Sequence, residues 1–151
     1  MTKGILIAGT SSGVGKTTVS LGLMAALGKI CQVVPFKVGP DYIDAAYHNF
    51  VLGRPSYNLD FYTLGEDRLK ALYLEKSEAG DVAVTEGVMG LFDGADASDF
   101  GSSAHMSKTL GLPVILVIDA GGMSGSAAAV ALGFRDFDRE LNLAGLILNK
   151  V

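Results

Sequence analysis

Short apolar runs rich in β-branched residues recur along the chain: GILIAG at 4–9, QVVPFKVG at 32–39, DVAVTEG at 81–87, PVILVIDA at 113–120 and LAGLILN at 143–149. Each has the length of a strand. Their near-continuous apolar character is that of parallel strands covered on both faces, because a strand with one wet face alternates instead. Helical patterns lie between them, KTTVSLGLMAALGK after the first run and GEDRLKALYLEKSEAG before the third. The second has acidic residues in its first turn, where the helix dipole favours them. Alternating β and α units predict an α/β fold of three layers around a mainly parallel sheet. The last run is followed almost at once by Val151, where a complete α/β domain adds at least a covering helix. The expected unit is therefore one domain, 1–151, truncated at its C-terminus.

Composition narrows the class. Of 151 residues 49% are apolar and 19% charged, the balance of a folded domain rather than a disordered chain. The 20 glycines are about twice the usual share and gather after apolar runs, where a backbone must come close to a ligand. A net charge of -4 with no basic tract argues against nucleic acid and anionic membranes as partners. The lone Cys31 offers neither a disulfide nor metal-ligand spacing and fits a reducing compartment. LPVILVI falls far short of the ~18 residues of a membrane span, and the N-terminus has no charged-then-apolar leader. A cytoplasmic location is expected.

The first run leads through Gly9 into TSSGVGKTT and an apolar-periodic helix, the context a phosphate-binding loop requires. Gly13 and Gly15 let backbone N–H groups turn inward, and the helix start adds its positive dipole end. Lys16 would reach the β and γ phosphates and the Thr17 hydroxyl would ligate magnesium. Gly13, Val14, Gly15, Lys16, Thr17 and Thr18 form the nucleotide-binding run. One residue more than the usual spacing separates Gly9 from Gly15, with Thr10 where a glycine would stand. The fold class is a three-layer P-loop NTPase fold.

Three further stretches carry candidate chemistry. Glu86 closes the third apolar run at its carboxyl end, the side where ligands gather in open α/β sheets, and is a magnesium candidate beside Thr17. FKVGPDYID, 36–44, places Lys37 at the end of the second run and Asp41, Tyr42 and Asp44 in a Gly-Pro turn. Lys37 could neutralise a transferring phosphoryl group or an anionic substrate, and the two carboxylates could orient a metal or polar substrate groups. Turn chemistry alone accounts for Gly-Pro-Asp equally well. GVMGLFDGADASDFGSS, 87–103, is a long loop of the kind that is usually functional, with Asp93 favoured over Asp96 and Asp99, which read as solvated loop or helix-cap residues. His48 and His105 are too isolated for a catalytic pair and read as surface or core residues. Cys31 reads as a small buried hydrophobe.

Taken together, GTSSGVGKTT, FKVGPDYID, TEGVMGLFDG and VIDAGGMSGSAAA resemble the amino-terminal synthetase domain of the cobyrinic acid a,c-diamide synthase family, over essentially the whole chain. The most specific element is Lys-Val-Gly-Pro-Asp-Tyr-Ile-Asp. Dethiobiotin synthetase, a relative of that family, has the same lengthened phosphate loop. The resemblance implies ATP-dependent amidation of the a and c carboxylates of a corrin through an acyl phosphate, with ATP and Mg2+ as cofactors. It implies ammonia drawn from glutamine by a carboxy-terminal glutaminase domain that this chain lacks. By similarity, Asp41, Tyr42, Ile43, Asp44 and Asp93 match positions linked to substrate or metal, with Lys16 and Lys37 as charge-neutralising groups. Asn149, in ILNKV, matches a position that contacts adenine in related ligases. The family usually continues YID with Pro and a large apolar residue before His, where this chain reads YIDAAYH, and Gly122 stands where a longer polar or basic residue is frequent.

Other readings share the fold. Switch ATPases of the ParA type carry an additional lysine early in the loop, where this chain has Ser11. A GTP-driven switch is the weaker expectation, since LNKV shows no Asp two residues after Lys, the residue guanine recognition prefers. An amide ligase for another tetrapyrrole polycarboxylate, nickel sirohydrochlorin or hydrogenobyrinic acid, fits the same motifs, and a homodimer is compatible with them.

Overall fold

All the apolar runs form strands, and one short strand joins them. The computed structural model describes residues 3–95 and 98–151, so Asp96 lies outside the described residues. The strands are β1 (Lys3–Gly9), β2 (Val33–Val38), β3 (Tyr57–Leu59), β4 (Val82–Glu86), β5 (Val114–Asp119) and β6 (Leu143–Asn149). They pair in the order β3-β2-β4-β1-β5-β6, every neighbour parallel. The helices are α1 (Lys16–Leu27), α2 (Tyr42–Leu52), α3 (Phe61–Ser77), α4 (Ser103–Leu110) and α5 (Ser126–Phe137).

Both faces of the sheet are covered, which is why the strands read as continuous apolar runs. Leu6, Ala8, Phe36, Val38 and Ala83 pack with Leu69 and Tyr73 of α3, Met106 of α4 and Ala131 of α5. Ile7, Val33, Val84 and Val117 pack on the other face with Met24 of α1, beside Val51 and Leu52 of α2. Fully burying each large apolar side chain is worth roughly 1.5–3 kcal/mol relative to exposure.

The strand order decides where a ligand can sit. From β1 the chain crosses β4 to reach β2, whereas from β4 it crosses β1 in the opposite direction to reach β5. The connections leaving β1 and β4 therefore diverge, and a crevice opens between the carboxyl ends of these two neighbouring strands, as open α/β sheets require. Parallel pairing sets Ile7 and Lys37 on either side of Glu86, the last residue of β4, so the carboxyl ends of three adjacent strands lie together at that rim.

Two expected elements differ in extent. Tyr42 and Asp44 do not lie in the Gly-Pro turn: only the residues up to Asp41 do, and Tyr42 is the first helical residue of α2. Asp41 is its N-cap, and its side chain accepts from the Ile43 and Asp44 backbone N–H groups at 3.0 and 3.2 Å. That cap explains the abrupt start, because it satisfies donors that a helix beginning leaves open. The helix before β4 begins at Phe61 rather than Gly65, with Asp60 as cap. Gly65 itself, at φ 69° and ψ 163°, breaks the helical path inside it. Cys31 is half buried, its thiol donating to the Leu27 carbonyl at 3.3 Å.

Candidate functional site

The rim is built from the phosphate loop inward. Gly15 stands at φ 100° and ψ 22°, in the left-handed region, and no side chain caps α1. The first backbone donors of that helix are thus left for an anion, reinforced by the helix dipole. A Cβ on Gly15 would meet the Asn149 amide, and the left-handed backbone there is what needs glycine. Val14 turns its side chain into the core, at 3% exposure. Thr18 is exposed on the first turn of α1.

Lys16 folds back over the loop and donates from Nζ to the Ser11 carbonyl at 3.0 Å. Its ammonium is held below its ordinary value by burial first and by the charge of Lys37 second, with Glu86, Asp44 and Asp93 pulling the other way. It is a desolvated cation with a neutral carbonyl as partner, and a bound anion would relieve that cost.

Around Thr17 the strand ends and α2 converge. The Thr17 hydroxyl donates to Glu86 Oε1 at 2.6 Å and lies 3.4 Å from Asp44 Oδ2. Lys37 Nζ donates to Asp44 Oδ2 at 2.6 Å, to Glu86 Oε1 at 3.2 Å and to the Gly87 carbonyl at 3.0 Å. Glu86 is fully buried and Lys37 is 2% exposed. Burial pushes the Glu86 carboxyl up, but the His48 hydrogen bond, the Lys37 charge and the Thr17 hydroxyl together hold it below the ordinary value of 4.5. Two lysines and two carboxylates, Lys16, Lys37, Asp44 and Glu86, thereby balance at the rim, as buried charges must.

His48 was read as a surface or core residue, and it belongs to this cluster. It is fully buried on α2, with Nε2 2.7 Å from Glu86 Oε2 and Nδ1 3.0 Å from Ser56 Oγ. The sequence holds a signal for it: Asp41 followed three residues later by Asp44 resembles a capping box, and His48 is then one helical turn beyond Asp44 on the same face. Asn58 was also missed. Its amide donates to the Gly39 and Asp41 carbonyls at 2.8 and 2.9 Å and fixes the turn before α2.

Other expected residues fall around this centre at different distances. One oxygen of Asp41 is committed to capping α2, and Tyr42 and Ile43 are exposed at 79% and 62% beside it. The long loop after β4 is tied down by Leu91 N–H to the Gly9 carbonyl at 2.8 Å and by Ser103 Oγ, which accepts from Val88 N–H at 2.9 Å. Within it Asp93 accepts from Gly90 N–H at 2.9 Å, and its charge reaches Lys16. Asp99 pairs instead with Lys108 at 3.1 Å on the surface, and His105 stacks on Phe61 at 4.1 Å. Asn149 donates to the Val14 carbonyl at 2.8 Å, so the end of β6 buttresses the phosphate loop. Lys150, unforeseen, donates to the Gly13 carbonyl at 3.0 Å and pairs with Asp119 at 2.7 Å.

The class of protein follows from strand order and loop together: a phosphate loop at the divergence point of a parallel three-layer sheet makes this a P-loop nucleotide-binding α/β domain. Solved structures share that fold. FtsY from Elizabethkingia anophelis aligns with a TM-score of 0.65 at 17% identity over 97% of this chain and 49% of that one. Chloroplast FtsY from Physcomitrella patens gives 0.63 at 19% identity over 98% and 49%. Sequence carries the assignment further, and the chain belongs to the CobQ/CobB/MinD/ParA nucleotide binding domain family, whose model matches residues 5–151. It is 50% identical over its whole length to the cobyrinate a,c-diamide synthase of Caldanaerobacter subterraneus subsp. tengcongensis, of which it spans 33%. The synthase of the same name from Streptococcus sanguinis is 51% identical over 99% of the chain and 34% of its own length. The chain thus spans about a third of the curated relatives it matches. No helix among the described residues is long and apolar enough to cross a membrane.

Proposed function

We propose that this domain binds ATP and activates the a and c carboxylates of cobyrinic acid, or of a closely similar tetrapyrrole acid, for amidation. The observation that carries the reading is the meeting of Lys16, Thr17, Lys37, Asp44 and Glu86 at one rim beside an uncapped helix start. The names of the relatives supply the substrate.

A carboxylate resists ammonia because oxide is a poor leaving group. In the proposed reaction a substrate carboxylate oxygen attacks the γ phosphorus of ATP and the bond to the bridging oxygen breaks, releasing ADP and leaving an acyl phosphate. Ammonia then attacks the acyl carbon, loses a proton and expels phosphate, leaving the amide. Positioning and charge neutralisation do most of the work in such transfers. Lys16 moves from the Ser11 carbonyl to the phosphate tail, the α1 N–H groups hold the β phosphate, and Lys37 faces the charge spread over the transferring group. Asp44 holds Lys37 in place, and Asp93 and the first turn of α2, with Tyr42 and Ile43, border the acceptor. Asn149 supports the loop from the side where adenine would lie.

Magnesium fits Thr17 and Glu86, a hydroxyl and a carboxylate oxygen 2.6 Å apart, as hard oxygen donors that leave room for phosphate and water. When bound it would neutralise charge on the β and γ phosphate oxygens. Among the described residues no group of three or more His, Cys, Asp or Glu forms an all-protein metal cage, consistent with an ion held jointly with the nucleotide. Cys31 lies beyond the C-terminal end of α1, remote from the loop at its start, and is given no part in supplying ammonia. A glutaminase unit is the proposed source.

The test is ADP release in the presence of ammonium salt. Release that depends on a corrinoid or sirohydrochlorin acid is expected. Release unchanged by any such acid refutes the ligase reading.

A further inference from the structure

We infer that His48 is a positioning residue: it clamps one oxygen of Glu86 so that the other stays aimed at Thr17 and Lys37, and thereby sets how strongly magnesium assists nucleotide binding. The inference rests on the proposed magnesium and nucleotide site.

Glu86 is fully buried, so each carboxylate oxygen must find a partner within the protein. The two are used differently. Oε1 faces the site, accepting from Thr17 at 2.6 Å and Lys37 at 3.2 Å. Oε2 faces away and meets His48 Nε2 at 2.7 Å. The other ring nitrogen of His48 lies 3.0 Å from Ser56 Oγ, just ahead of β3. The imidazole is therefore gripped at both ends and cannot flip without breaking a contact in a fully buried place. Partners behind a ligating carboxylate fix its orientation in this way, and their loss typically costs about 10–100-fold in metal affinity or activity.

The same ring sets the backbone. His48 lies one turn after Asp44 on α2, so the His48–Glu86 bond pins that helix to the end of β4. With the helix held there, Asp44 reaches Lys37 at 2.6 Å and approaches Thr17 at 3.4 Å. A hydrocarbon at position 48 would leave Oε2 buried without a partner. The carboxylate would then turn toward whichever donor remained, and the Thr17 side of the site would lose its acceptor.

The geometry specifies the substitution that should restore function. The amide nitrogen of glutamine can occupy the place of Nε2 and donate to Glu86. Asparagine is shorter, reproduces the Nδ1 side near Ser56 and falls short of Glu86. A residue needed only as buried polar filler would accept both amides alike.

The experiment measures ATP affinity of the full chain with Mg2+ and with EDTA, for wild type, His48→Gln, His48→Asn and His48→Leu, each checked for a cooperative unfolding transition. The expected result is a magnesium enhancement kept within roughly threefold by His48→Gln and reduced roughly tenfold or more by His48→Asn and His48→Leu. Affinity in EDTA should remain near wild type throughout. If His48→Leu fails to fold, the contrast between the two amides decides. Equal enhancement in His48→Gln and His48→Asn, or a loss as large in EDTA as in Mg2+, overturns the positioning role. A wild type with no magnesium enhancement at all refutes the functional reading beneath it instead.

Discussion

Thr17 and Glu86, 69 positions apart in the chain, share a hydrogen bond of 2.6 Å between the start of α1 and the end of β4. In the proposed site this pair opens to admit a divalent ion. Thr17→Val keeps the shape and removes the hydroxyl, and should cut the magnesium enhancement of ATP binding by roughly tenfold, about 1.4 kcal/mol. Thr17→Ser should keep most of it. Equal behaviour of the two variants in a titration of Mg2+ against fixed ATP would remove Thr17 from the metal site.

Lys37 pairs with Asp44 at 2.6 Å and with the fully buried Glu86 at 3.2 Å. Lys37→Met should leave uncompensated buried negative charge and destabilise the fold by about 3–5 kcal/mol. Adding Glu86→Gln should recover part of the loss. Denaturant midpoints of the single and double variants check this, and additive losses would show that the pair is not coupled.

Lys16→Ala should abolish nucleotide binding, whereas Asp44→Asn should spare it and impair amidation, because in the proposed reaction Asp44 acts through Lys37 on the acceptor side. Binding isotherms paired with amide formation separate these outcomes. Two variants that lose only ATP affinity would move Asp44 to the nucleotide side.

Acid and alkaline pH probe opposite members of the cluster. The Glu86 carboxyl is held below its ordinary 4.5, so its stabilising contribution is complete above that value and is lost as pH falls through the lower folded value. Glu86→Gln should flatten the acid limb of stability against pH. Lys16 is held below its ordinary 10.5 by burial, so the folded protein bears the cost of its charge at neutral pH and is relieved as pH rises through the lowered value. In the proposed complex a triphosphate beside Lys16 raises its affinity for that proton. ATP binding in the window just below 10.5 should therefore take up protons, read by calorimetry in buffers of different ionisation enthalpy, and Lys16→Met should not.

Gly15→Ala should remove nucleotide binding, since φ is 100° there and the added methyl would meet the Asn149 side chain. Adding Asn149→Ala should relieve the contact but not the backbone strain, and so restore little. Full recovery in the double variant would assign the whole defect to the clash.

Most of the architecture was legible because parallel strands buried on both faces declare themselves as apolar runs, and the phosphate loop because its glycines and Lys-Thr pair stand between a strand and a helix. The reading of α2 was weaker. Gly39, Pro40 and Asp41 do form a turn, but the capping carboxylate of Asp41 starts a helix at the next residue, and the apolar stripe of YIDAAYHNFVL, Ile43, Ala46, Tyr47 and Phe50, lies on its exposed face rather than against the sheet. His48 was missed as a consequence, since its neighbourhood to Asp44 exists only in a helix. Its bond to Glu86 depends on how α2 packs against the sheet, a tertiary relation that one-dimensional spacing does not encode. β3 was missed because its three residues, Tyr57–Leu59, are too few to show a period.

The central claim is that a substrate carboxylate takes the terminal phosphoryl group of ATP at the Lys16–Lys37 rim. Its most direct measurement uses a corrinoid acid carrying oxygen-18 in its carboxylates, with ATP, Mg2+ and ammonium, and weighs the phosphate released. The account predicts one labelled oxygen in each phosphate formed alongside amide. Amide accompanied by unlabelled phosphate would contradict it.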